Sequence, residues 1–188
     1  MPLHPVPYDT ARPLVKRFLS LDEDEGTADL IRELRAARRR GYLRRSELEA
    51  ICYWKSPRAI RHIRSNSAHS VRAATTAALA TPNERVRLET LLTLQGVSVP
   101  MASSILTLLD PRRYGVIDIR VWELLHRVGT VNKNPGGVGF TFDNWYEFLM
   151  VIRHFARIFS CTARHVERAL FLAHKQYQKG QLYSRRGS

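Results

Sequence analysis

Two segments of this chain carry residue types and spacings that could do chemistry. The first runs from Leu91 to Val128. Leu91, Leu94, Val97, Ala102, Ile105 and Leu106 are apolar, and Gly96 falls between two helical patterns. The spacing predicts a helix that stops at a four-residue turn, Gly96-Val97-Ser98-Val99, and a new helix opening at Pro100. Glycine permits the tight turn. The turn amides and the second helix's N-terminus can then point at a phosphate. An ordinary helix pair with Gly96 as its C-cap has the same spacing. Further on, Val116-Ile117 precedes Asp118 and an amphipathic pattern starts just after it, which places Asp118 as an N-cap. The second segment is Tyr53-Trp54-Lys55-Ser56-Pro57-Arg58, with Arg61 and Arg64 at helical spacing from Arg58. Its aromatics could stack on an extruded base while Lys55, Arg58 and Arg61 hold phosphates. Alternatively, Tyr53 and Trp54 close a helix as core residues with solvated cations behind them.

Taken together, the blocks in the first segment resemble the helix–hairpin–helix DNA glycosylase superfamily, the endonuclease III and 8-oxoguanine glycosylase group. Leu94-Gln95-Gly96-Val97-Ser98-Val99-Pro100-Met101-Ala102 is similar to that family's Leu-Pro-Gly-Val-Gly-x-Lys-x-Ala hairpin. Val116-Ile117-Asp118-Ile119-Arg120-Val121-Trp122 is similar to its apolar-apolar-Asp-x-His/Arg-apolar element. The close resemblance covers roughly 40 of 188 residues. It implies that Asp118 is a catalytic carboxylate, that the 96–99 hairpin grips phosphate, and that the substrate is a base flipped from duplex DNA. The chemistry is coherent. Breaking an N-glycosidic bond builds positive charge on the sugar, and a carboxylate stabilises it and can orient or deprotonate the attacking water. A helix N-terminus holds such a carboxylate ionised. Two departures matter. Pro100 stands where bifunctional members carry a Schiff-base lysine, which implies monofunctional hydrolysis, and Ser98 replaces the second hairpin glycine. The departures keep open a DNA-binding module without chemistry.

Other residues admit two readings. Trp122 follows Asp118 by four residues and either lines a base pocket with Tyr53 and Trp54 or is core. Lys55 is a surface charge or a relocated amine nucleophile. Arg38-Arg39-Arg40 reads as a solvated helix end or a DNA contact. Arg164, His165, Glu167, Arg168 and His174 read as the surface-facing side of a helix, with no metal-ligand spacing.

The elements that must position these residues are helical. The patterns predict helices near 10–20, 27–40, 46–53, 57–65, 68–80, 82–95, 100–109, 119–129, 143–159 and 162–178, with no sheet. Ser46-Glu47-Leu48-Glu49 reads as a capping box, Ser56-Pro57 as an N-cap followed by proline, and Thr81-Pro82-Asn83-Glu84 as both signals together. Residues 130–142 form a Gly- and Asn-rich loop, and the tail from Gly180 is expected to fray. The expectation is a single all-α domain over 1–188, a compact two-lobed bundle of about ten short helices. One lobe is centred on about 57–129, and the other joins the N-terminal segment to about 143–178.

Charge and composition point to a polyanion partner, with a solvated basic surface as the alternative. The 30 Lys+Arg against 17 Asp+Glu give +13, and 25 of those cations are arginine, whose fork suits phosphate. The resemblance narrows this to double-stranded DNA carrying a damaged or modified base. The two cysteines cannot build a four-thiolate metal site or a disulfide framework. Neither a spanning run nor a signal layout is visible. There is no P-loop, GxSxG, HExxH, CxxC pair or zinc-deaminase signature. The chain is accordingly expected to work as a cytoplasmic monomer, nucleoid-associated in a bacterium, without metal, nucleotide cofactor or membrane.

Overall fold

A computed structural model describes residues 3–179, and the expected frayed tail from Gly180 lies outside them. The protein is all-α. Its helices are α1 (Ala11–Phe18), α2 (Glu25–Arg40), α3 (Arg45–Lys55), α4 (Ile60–Arg64), α5 (Ala68–Ala80), α6 (Glu84–Leu92), α7 (Val99–Leu109), α8 (Ile119–Arg127), α9 (Phe142–Ile158) and α10 (Ala163–Tyr177). A single 3-10 turn, Pro57–Ala59, leads into α4, so the expected helix over 57–65 is two short pieces. Among the described residues the one β element is an isolated bridge between Leu3 and Gln178.

Caps set the boundaries, and two differ from expectation. The N-cap of α3 is Arg44, not Ser46, and the Glu47 carboxylate accepts from the Arg44 amide at 2.6 Å. The N-cap of α6 is Asn83, not Thr81; its side chain accepts from the Arg85 and Val86 amides. Pro82 lies outside the helix. Asp24, Ser67, Asp118, Thr141 and Thr162 cap α2, α5, α8, α9 and α10 through side-chain oxygens, each satisfying an otherwise orphan first-turn amide.

α7 is the axle of the molecule. Every one of its residues except Pro100 is buried, which a helix apolar on all sides requires. It packs against α2, α3, α6 and α9, while α10 packs against α1, α8 and α9. Its hydroxyls back-bond along the helix: Ser103 and Ser104 both donate to the Pro100 carbonyl at 2.8 Å. Ser103 also accepts from the Ile117 amide at 3.2 Å, which fixes the extended segment just before Asp118. Gly115, in the same segment, lies against α10: a Cβ there would meet Glu167 Cβ at 2.7 Å and Ile152 Cδ1 at 2.8 Å.

A polar hub ties α6 to α9. Glu84 accepts from Arg87 at 2.6 Å, Arg153 at 2.8 Å, Arg113 at 3.2 Å and the Tyr114 hydroxyl at 3.0 Å. Burial pushes the Glu84 carboxyl up, but hydrogen bonds from Arg153 and Arg87 outweigh it and hold the group below the usual range.

Candidate functional site

α6 ends at Leu92, three residues earlier than its pattern predicts. The chain then turns through Gly96 (φ +78°) and enters α7 at Val99. Gly96 is there because α4 crosses close by: a Cβ would meet His62 Cβ at 2.8 Å and the Ile63 amide nitrogen at 3.1 Å. Ser98 is the N-cap of α7 but makes no side-chain cap. The amides of Gly96, Ser98 and Val99 find no acceptor among the described residues. Gly96 and Ser98 are exposed, whereas Val97 is buried and serves the core.

Asp118 lines one cavity with residues of this turn. Its Oδ1 accepts from the Val121 amide at 3.1 Å, the cap expected of it. Its Oδ2 lies 3.4 Å from Lys55 Nζ at the end of α3. The two side chains keep 21% and 18% exposure, so the pair is sheltered but reachable.

Two cavities meet at this pair. One, of about 640 Å³, is walled by Lys55, Arg58, Gly96, Ser98, Val99 and Asp118, with Arg120 and the 137–140 segment closing its far side. The other, of about 500 Å³, shares Lys55 and Asp118 and adds Asp24, Thr27, Trp54, Arg164, Glu167, Arg168 and Phe171. Both lie in the size range of ligand pockets.

The second cavity has a rigid wall. Trp54 is half-buried, and its indole donates to Thr27 Oγ1 at 2.8 Å. The Arg164 guanidinium sits 5.5 Å from its ring centre. Arg164 also bonds Glu23 at 2.8 Å and pairs with Glu167. Burial pushes the Glu167 carboxyl up, the Arg164 charge opposes this, and the nearby Asp118 charge adds to it. These α10 residues therefore do not face solvent as expected. Arg164, Glu167 and His174 are buried, and His174 bonds Glu123 of α8 at 3.0 Å.

Three other candidate residues lie away from both cavities. Trp122 is fully buried core, donates to the Asn134 carbonyl at 2.8 Å and meets Phe140 edge-on. Tyr53 lies outside both cavities; it is 48% exposed and accepts from Arg64 at 3.0 Å. Arg61 is exposed and lines neither cavity. In the arginine run, Arg38 pairs with Asp110 at 3.0 Å and Arg40 with Glu47 at 2.5 Å.

Sequence reasoning missed Asn66, Ser103, Asp24, Thr27 and the buried role of Glu167. No family model matches the chain, and neither a curated protein nor a solved structure matches it.

Proposed function

We propose that this protein is a monofunctional DNA glycosylase that hydrolyses the N-glycosidic bond of a damaged or modified base flipped out of duplex DNA. One observation carries the reading: Asp118, Lys55 and the turn residues Gly96, Ser98 and Val99 line one cavity. A helix–hairpin–helix reading of that turn gives its unpaired amides a phosphate to bind. The phosphate grip then sets the nucleotide beside the carboxylate.

Asp118 stabilises the positive charge that builds on the sugar as the C1′–N bond breaks. The bonding electrons leave with the base. A water molecule adds to C1′ and gives up its proton toward the Asp118 carboxylate. The flipped base occupies the second cavity, against Trp54. Lys55 is engaged with Asp118, and Pro100 supplies no amine at the hairpin position. On this reading water is the nucleophile. Binding to duplex DNA falls steeply with salt, as expected for a +13 protein.

The second reading, DNA binding without chemistry, draws on the fact that both Asp118 oxygens already have protein partners. An incision panel separates the two. Duplexes carrying uracil, 8-oxoguanine, alkylated purines, or hydroxymethylated or glucosylated cytosine are incubated with wild type and Asp118→Asn, then analysed with and without hot alkali. Strand breaks that appear only after alkali, and not with Asp118→Asn, are expected. Tight salt-sensitive binding with no product from any duplex would favour the binding module.

A further inference from the structure

The inner face of α9 is core: Trp145, Phe148, Leu149 and Ile152 are fully buried. Its outer face is apolar too. Of the seven large apolar side chains exposed among the described residues, three are on this one helix, Tyr146, Met150 and Ile158. The other four stand singly on four different segments. Phe142 extends the stripe by stacking on Tyr146 at 5.4 Å. The charges along the same face are sorted by sign. Asp143 and Glu147 lie before Met150, and His154 and Arg157 lie after it. At 100° per residue, all four point within about 60° of Met150. Asp143 and Arg157 stand seven residues to either side of it. Asp143 meets Arg85 at 3.0 Å yet keeps 77% side-chain exposure. Glu147 and the exposed Arg157 have no ion-pair partner among the described residues, and ten residues of helix hold them about 15 Å apart.

A face that is acidic at one end, apolar in the middle and basic at the other is complementary to itself turned end for end. That is the requirement of a two-fold interface, in which each residue meets the same residue set on the other copy. We infer that the outer face of α9 pairs with the same face of a second copy of this chain, the two helices antiparallel and crossing at Met150. Asp143 of each copy then lies opposite Arg157 of the other, Glu147 lies opposite His154, and the Tyr146 and Met150 side chains are shielded from water. A nucleic acid fits this face poorly, because Asp143 and Glu147 repel phosphate. The 17-residue helix is about 25 Å long. One helix face buries an area at the low end for specific interfaces, so the association is weak, with a Kd on the order of 10 μM. No α9 residue lines either cavity. Pairing therefore leaves both cavities open, and the inference is independent of the base-excision reading. It departs from the monomer expected of the sequence.

Sedimentation velocity of the full chain, from about 1 to about 200 μM, tests this. Wild type should pass from monomer to dimer across that range. Met150→Glu sets two carboxylates against each other at the two-fold and should weaken association by more than about tenfold. Met150→Leu should retain it. Arg157→Asp should weaken association by about tenfold, and Asp143→Arg combined with Arg157→Asp should recover it, because the reversed charges still meet across the interface. Thermal melts at the lowest concentration establish that each variant folds; Met150 and Arg157 are on the surface, so all should. A wild type that stays monomeric throughout overturns the inference, as does a Met150→Glu protein that associates like wild type. A double reversal that recovers nothing overturns the antiparallel pairing. A Met150→Glu protein that loses duplex DNA affinity at concentrations where wild type is monomeric would assign this face to nucleic acid instead.

Discussion

Asn66 grips Gln95 by both ends of its side-chain amide: Oδ1 accepts from the Gln95 amide at 2.8 Å, and Nδ2 donates to the Gln95 carbonyl at 2.9 Å. Asn66 is buried, and it also donates to the Ile63 carbonyl at 2.9 Å. This one side chain locks the α4–α5 connection to the turn before α7. Asn66→Ala should lose about 3 kcal/mol, because the part-buried Gln95 amide and carbonyl and the buried Ile63 carbonyl lose their partner. Asn66→Asp should lose a similar amount, since a carboxylate cannot donate. Urea unfolding checks both, with the midpoint shifted and the slope unchanged.

Two glycines with nearly the same backbone make a controlled comparison. Gly96 (φ +78°) has α4 within 3 Å of its missing Cβ, whereas Gly129 (φ +64°) has nothing within 4 Å. Gly129→Ala should lose only the left-handed strain, about 1 kcal/mol. Gly96→Ala should lose that plus the clash with α4, about 3 kcal/mol in all. In thermal melts this separates the two by several degrees. Equal melting points would mean that α4 yields without cost.

Acid stability should track Glu84. Its folded-state carboxyl is held below the ordinary value, so the unfolded chain binds a proton first as pH falls. The stability it contributes is complete above the unfolded value of 4.5 and is lost as pH drops through the lower folded value. Glu84→Gln should be destabilised by about 3 kcal/mol at pH 7, because Arg87 and Arg153 lose their partner. The gap between variant and wild type should narrow below about pH 4. A gap that stays constant with pH would show that the loss is steric and not ionic.

Much of this fold is legible in the sequence, because apolar spacing and caps are local signals. α5 runs over the range its pattern predicts, and Asp118 caps α8 as its neighbours imply. What is hidden is what couples distant segments. Asn66 looks like any turn asparagine, since its partner lies 29 residues on. Lys55 and Asp118 are 63 residues apart. The α10 charges look solvated because composition does not show that Glu23 and Glu167 neutralise Arg164 in the interior. The misplaced aromatics have a geometric cause. Tyr53 turns outward to Arg64 while Trp54 turns inward to Thr27, a division that one helical step of about 100° permits but that adjacency in sequence does not reveal. Asp118 has extended backbone (φ −148°, ψ 174°), so the four-residue face rule does not carry its side chain to Trp122.

Lys55 is the residue on which hydrolysis and covalent catalysis divide. On the base-excision reading, its pairing with Asp118 fixes the carboxylate's second oxygen and adds positive charge beside the bound phosphate. Lys55→Met should therefore slow base excision by about 10- to 100-fold through misplacement of Asp118, with a smaller change in duplex affinity. Lys55→Arg should recover part of the rate, since a guanidinium can still pair with the carboxylate. Borohydride added during turnover should trap no protein–DNA adduct with wild type. A trapped adduct that disappears in Lys55→Met and Lys55→Arg would make Lys55 the nucleophile, its amine deprotonated during turnover and condensed with C1′.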